Sequence, residues 1–200
     1  MNEKELREHY AKKFPEHAGF ILDTDNCYPE LLDRASELDL SSKDFDILTP
    51  ELAYYFAILL DKKPSKRTRD AACKDPGYAC LYARDVDKKP CKQTRNVACK
   101  TPRSAYLYAR DVDKKPSKQT RNVACKTPRY ACLYARDVDK KPSKQTRAAA
   151  CQGLYYTYLY ARDVDKKPSK QTRAAACQDV LLATEYKSWE EEYACLNIYQ

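Results

Sequence analysis

Twenty basic side chains recur in register along the middle of this chain. Arg84, Lys88, Lys89, Lys92 and Arg95 form the first set, and Arg110, Lys114, Lys115, Lys118 and Arg121 the second. Arg136, Lys140, Lys141, Lys144 and Arg147 form the third, and Arg162, Lys166, Lys167, Lys170 and Arg173 the fourth. Cations at fixed spacing contact phosphates or carboxylates and give affinity without sequence reading. Aspartates stand beside them, Asp85 and Asp87 in the first set, so the same bases can instead pair internally or simply keep a face solvated. Carboxylate pairs also suit acid–base chemistry. These pairs recur at Asp111 and Asp113, Asp137 and Asp139, and Asp163 and Asp165, which suits a repeated surface better than one active site. No catalytic residue is expected.

Other chemistries are poorly supplied. Three Gly cannot build a Gly-rich phosphate loop, and His9 and His17 are the only histidines. Cys73 and Cys80, like Cys125 and Cys132, are seven apart with no His beside them, which is not zinc-site spacing. No metal or cofactor is expected. The column Cys73, Cys99, Cys125, Cys151 and Cys177 reads as small residues filling buried sites. No apolar run approaches the ~18 residues a membrane helix needs, and no secretory signal opens the sequence. The expected compartment is the cytoplasm, with thiols reduced.

Tyrosine is abundant, at 17 residues. Tyr82, Tyr108, Tyr134 and Tyr160 have Ala around them and read as core. Tyr106, Tyr130, Tyr156 and Tyr158 fall off that stripe and are the candidates for stacking on bases.

Charge is unevenly spread. Residues 1–60 are net −7, residues 61–178 hold 30 Lys and Arg against 11 Asp and Glu for +19, and residues 179–200 are net −4. A basic middle between acidic ends points to a polyanionic partner.

The elements that must carry these columns follow from a period of 26. Asp-Lys-Lys-Pro begins at Asp61, Asp87, Asp113, Asp139 and Asp165, and an aromatic column runs Phe56, Tyr82, Tyr108, Tyr134, Tyr160, Tyr186. Such a period marks a repeat architecture. Thr127-Pro128 reads as a helix start, with Thr as N-cap and Pro at the first position. The N-cap column is Thr49, Asp75, Thr101, Thr127, Gly153, Asp179. Ala131, Tyr134, Ala135 and Val138 then share one helical face. The helix should stop near Lys140–Lys141, because Pro142 disfavours helix in the residue before it. A shorter helix should follow, capped by Ser65, Ser117, Ser143 or Ser169, with Cys91 the weak member, and buried through Thr120, Val123 and Ala124.

A helix pair this small cannot bury its own apolar face, so copies must stack. The expected fold is all-α, a right-handed α-solenoid of short helix pairs with atypical ends. Three regions are expected: residues 1–50 an acidic helical cap, with helices near 3–13 and 29–38; residues 51–178 the basic repeats; and residues 179–200 the C-terminal cap. In the last region Ser188-Trp189-Glu190-Glu191 reads as a capping box opening a final helix.

The stretch Tyr130-Ala-Cys-Leu-Tyr-Ala-Arg-Asp-Val138 resembles the tandem repeats of a family of bacteriophage and large DNA virus proteins. Their unit of about the same length reads Tyr-Ala-Tyr-x-Tyr-Ala-Arg-Asp-Val, followed by a linker containing Pro. Cys132 stands where their middle Tyr does, while Tyr106 and Tyr158 keep it. The likeness covers about residues 50–180. It implies a viral accessory protein in the host cytoplasm, acting on a host factor or a defence system, and carries over no catalytic residue.

Function is therefore expected to be non-enzymatic: an interaction scaffold presenting a basic ladder to an acidic host protein. The alternative is sequence-independent binding of DNA or RNA through the same ladder. Small-molecule sequestration or catalysis lacks a pocket signature. No membrane association is expected.

Overall fold

The computed structural model describes Glu5, Glu8, Ala11, Lys12, Pro15 and residues 49–198. Those residues hold eleven α-helices and no strand. In chain order they are α1 (Pro50–Tyr55), α2 (Lys66–Ala72), α3 (Pro76–Leu81), α4 (Lys92–Ala98), α5 (Pro102–Leu107) and α6 (Lys118–Ala124). α7 (Pro128–Tyr134), α8 (Lys144–Ala150), α9 (Leu154–Tyr160), α10 (Lys170–Ala176) and α11 (Val180–Ile198) complete them. Of the first expected helix, Glu5, Glu8, Ala11 and Lys12 are helical. The helix expected near 29–38 lies outside the described residues.

The chain divides into two compact units, residues 1–94 and 95–200, with the boundary inside α4 rather than between cap and repeats. Within each unit, helix pairs stack on neighbouring pairs, the arrangement of an α-solenoid.

The long member of each pair starts as its sequence demands. Thr49, Asp75 and Thr101 accept backbone N–H bonds through their side chains, and Pro follows each at the first helical position. Thr127 departs from this, since its hydroxyl is buried without a hydrogen-bond partner. Gly153 has no side chain to cap with, and a Cβ there would come within 2.8 Å of Pro128. Here the absence of a side chain lets α7 and α9 approach.

Each long helix then widens into a π-helical stretch: Phe56–Asp61, Tyr82–Val86, Tyr108–Asp113, Ala135–Asp139 and Ala161–Asp165. The bond from Asp87 N–H to the Tyr82 carbonyl, 2.9 Å, spans five residues and sets Asp87 over Tyr82. The stretch ends on a lysine in the left-handed region, Lys62, Lys88, Lys114, Lys140 or Lys166, at φ 51–53°. The Lys-Pro step that follows forbids more helix.

The core is Tyr set into Ala. In the second unit Tyr134 lies with Tyr106, Ala109, Ala124 and Val138, and Tyr160 with Cys132, Ala135, Ala150 and Val164. Each Tyr thus fills a hole lined by the preceding repeat. The short helices join through side chains: Gln119 donates to Asn96 Oδ1 at 3.0 Å, and Gln145 to Asn122 Oδ1 at 2.9 Å. In the first unit Gln93 donates to Asp70 at 2.7 Å.

The C-terminal expectation needs correcting. α11 starts after Asp179, whose carboxylate accepts the Leu182 N–H at 3.0 Å, and runs unbroken through Ser188. Ser188 is mid-helix and opens nothing. The reason is in the register: where earlier repeats have Asp-Lys-Lys-Pro, this one has Glu191-Glu192-Tyr193-Ala194, with no Pro to stop it.

Candidate functional site

The arginines of the expected ladder are engaged within the repeats. Arg121 holds the Asp139 carboxylate through Nε and Nη2, at 3.0 and 2.6 Å, with its guanidinium 5.7 Å from the centroid of the Tyr134 ring. Arg95 with Asp113, Arg147 with Asp165 and, in the first unit, Arg69 with Asp87 repeat the arrangement. The hydrogen bond to Asp139 raises the Arg121 pKa against the opposing pull of burial. Arg173 takes Glu190 instead, at 2.8 Å, because its repeat lacks the aspartate. Arg110, Arg136 and Arg162 each fork onto the next residue, Asp111, Asp137 and Asp163, at 2.6–2.7 Å. Arg84 does the same with Asp85. Sequence reasoning grouped these arginines with the lysines as one ladder. The structure makes them braces, although the second group still exposes part of each guanidinium.

The lysines are different. Lys88, Lys89 and Lys92, then Lys114, Lys115 and Lys118, Lys140, Lys141 and Lys144, and Lys166, Lys167 and Lys170 are all exposed and form no ion pair among the described residues. In the second unit the last three trios stand at equivalent turns of stacked repeats, and so share one edge.

That edge is anchored from below. Tyr134 is fully buried (0 % exposed), and its hydroxyl sits 2.8 Å from Thr120 Oγ1 while accepting the Ser117 N–H at 3.0 Å. Ser117 in turn caps α6. Tyr160 with Thr146 and Ser143, and Tyr186 with Thr172 and Ser169, repeat this, as do Tyr82, Thr68 and Ser65 in the first unit. Burial raises the Tyr134 pKa, although the Thr120 and Ser117 hydrogen bonds pull the other way.

The left-handed lysine is costly. A side chain at positive φ crowds its own backbone by about 1–2 kcal/mol, which is why glycine usually ends helices this way. Lys140→Gly is expected to raise stability by about 1 kcal/mol, read as a higher urea midpoint. Folding alone would favour Gly here.

The stacking candidates fare unevenly. Tyr106 is only 4 % exposed, its hydroxyl donates to Asp137 Oδ2, and the Arg110 guanidinium lies 5.2 Å from its ring centroid. It is not a stacking platform, because a face covered by its own protein cannot receive a base. Tyr130, Tyr156 and Tyr158 are half-buried, Tyr130 with its centroid 6.0 Å from that of Tyr106 and Tyr158 against Trp189. Among the described residues the exposed tyrosine is Tyr155, at 57 %, which sequence reasoning missed.

A second feature escaped the period of 26. The column Tyr54, Cys80, Tyr106, Cys132, Tyr158 alternates. Tyr54 and Tyr106 each reach an aspartate 31 residues on, Asp85 and Asp137. Cys132 fills the place with a buried thiol. Burial first, and Asp163 next, push its pKa up to about 12. The signal was visible as a period of two repeats.

Burial likewise lifts Cys73 and Cys125 to about 11, so these thiols stay protonated and unreactive. Of the column expected to be buried, Cys73 is buried, Cys99, Cys125 and Cys151 are half-buried, and Cys177, where the stack meets α11, is exposed. No group of His, Cys, Asp and Glu able to hold a metal occurs among the described residues. No helix there is long and apolar enough to cross a membrane.

No family model, curated protein or solved structure matches the chain. The viral resemblance rests on the Tyr130–Val138 stretch and its repeat length alone.

Proposed function

We propose that this chain is a non-enzymatic helical-repeat scaffold whose lysine edge binds an acidic macromolecule. One observation carries the reading. Each of the four repeats from Arg84 to Arg173 ties two arginines to carboxylates yet leaves a lysine trio exposed and, among the described residues, without an ion pair. The left-handed lysines support it, since a charge is kept where glycine would fold better. The +19 of residues 61–178 adds steering toward any polyanion. A folded acidic protein and a nucleic acid both answer this description.

The test replaces Lys114, Lys115, Lys140, Lys141, Lys166 and Lys167 by Gln. Substitutions at exposed sites typically change stability by no more than about 0.5 kcal/mol, so the thermal transition should hold or rise slightly from relief of net charge. Affinity for two defined polyanions, polyglutamate and a DNA duplex, is then compared by fluorescence anisotropy. At least one should bind the parent chain and lose more than about tenfold in affinity with the variant. Equal binding by both chains would reduce the edge to a solubilising surface.

A further inference from the structure

The chemistry of the edge separates its two classes of partner. We infer that it takes the phosphate backbone of a nucleic-acid duplex, without reading sequence; this rests on the reading of the lysine edge as a binding surface.

The charge carriers point to phosphates. Protein–protein interfaces draw their affinity from Arg, Tyr and Trp set in an apolar centre, and are depleted in Lys. Here the fork-shaped guanidinium groups that flank the lysine turns, which suit carboxylates and phosphates alike, are already paired within the repeats. What is offered outward is lysine, a mobile point charge that meets phosphate oxygens in any orientation.

No apolar centre accompanies it. Among the described residues the exposed large hydrophobics are Tyr155, at 57 %, and Leu181, at 79 %. Tyr155 lies in α9 and Leu181 in α11, neither on a lysine-bearing turn. A folded acidic protein docking on this edge would meet charge with nothing to seat in a pocket.

Periodicity fits a polymer. In the second unit the same turn appears three times, with left-handed lysines at Lys114, Lys140 and Lys166. Equivalent sites in a row suit a ligand that presents equivalent charges in a row, and tolerate sliding along it.

The aromatic chemistry chooses between duplex and single strand. Proteins that hold single strands stack bases on open aromatic faces. Tyr134 and Tyr160 are fully buried, and Tyr106 is closed by Arg110 and its bond to Asp137. Without such platforms along the edge, contact is to the backbone, which a duplex displays with its bases stacked away.

The full chain is titrated by fluorescence anisotropy with a short DNA duplex, a duplex of scrambled sequence, an oligo-dT strand and polyglutamate. The two duplexes should bind alike. Between about 50 and 200 mM salt their affinity should fall about 10³-fold, as expected for some six phosphate contacts. The six-lysine-to-glutamine variant should bind the duplex weakly and with a much shallower salt dependence. Tighter binding of oligo-dT than of duplex, or a difference between the two duplex sequences beyond about tenfold, overturns the inference. So does polyglutamate binding that needs the lysines while the duplex is not bound; the wider reading of the edge then survives. If the variant binds the duplex with an unchanged salt slope, the phosphates sit elsewhere and the inference fails. If neither polyanion binds the parent chain, both readings fail together.

Discussion

Replacing Asp139 by Ala is expected to destabilise the second unit by about 3–5 kcal/mol. The Asp139 side chain is 2 % exposed and Arg121 is 26 % exposed. The guanidinium holds both carboxylate oxygens and faces the Tyr134 ring. Removing the acid strands a charge against an aromatic face and empties its place. Because Arg121 reaches partway to water, it can swing outward, which sets the expectation at the lower end of the range. The measurement is urea unfolding of the full chain, followed by helical circular dichroism. Arg121→Met combined with Asp139→Leu should recover most of the loss, since the cost lies in the unpaired partner rather than in the pair. The result also bears on function. A cost below about 1 kcal/mol, the value of an exposed pair, would make the arginine column available to a ligand. Each repeat would then offer four cations instead of three, and a fork would join the point charges.

That distinction explains what the sequence could and could not reveal. The helix starts were legible because Thr-Pro and Asp-Pro encode them locally. The stops were legible because Lys-Pro does. The buried tyrosine column followed from its helical spacing with Ala131, Ala135 and Val138. The division of the basic column was not legible. Arg121 reaches Asp139 across 18 residues and a turn, and only the π-helical register sets Asp139 over Tyr134, where the guanidinium meets both. An α-helical continuation would rotate that carboxylate to another face. Nothing in Ala-Arg-Asp-Val-Asp announces a change from four to five residues per hydrogen bond. The Tyr106 error has the same origin. Its hydroxyl finds Asp137 across 31 residues, a contact between repeats that exists only once they stack. The unbroken run of α11 is legible in the sequence, since Glu191-Glu192-Tyr193-Ala194 lacks the Pro that ends the earlier helices.

Tyr134 links the fold to the edge. Tyr134→Ala should cost about 3–5 kcal/mol, as expected for emptying a fully buried aromatic site, whereas Tyr134→Phe should cost about 1 kcal/mol. The smaller change removes only the hydroxyl. Thr120 keeps its bonds to Ser117, but the Ser117 N–H loses its acceptor. Ser117 ends the turn that begins at the left-handed Lys114 and carries Lys115, so the hydroxyl ties that turn to the next repeat. Exchange of the Ser117 amide should accelerate in Tyr134→Phe by about the factor that 1 kcal/mol gives, roughly fivefold, while amides in α8 stay protected. Duplex affinity should fall by a similar small factor, because a looser turn must be ordered on binding. Unchanged exchange at Ser117 would mean that Pro116 and the α6 cap hold the turn unaided. The buried tyrosine column would then serve packing alone, and the lysines would owe their positions to the connecting loop.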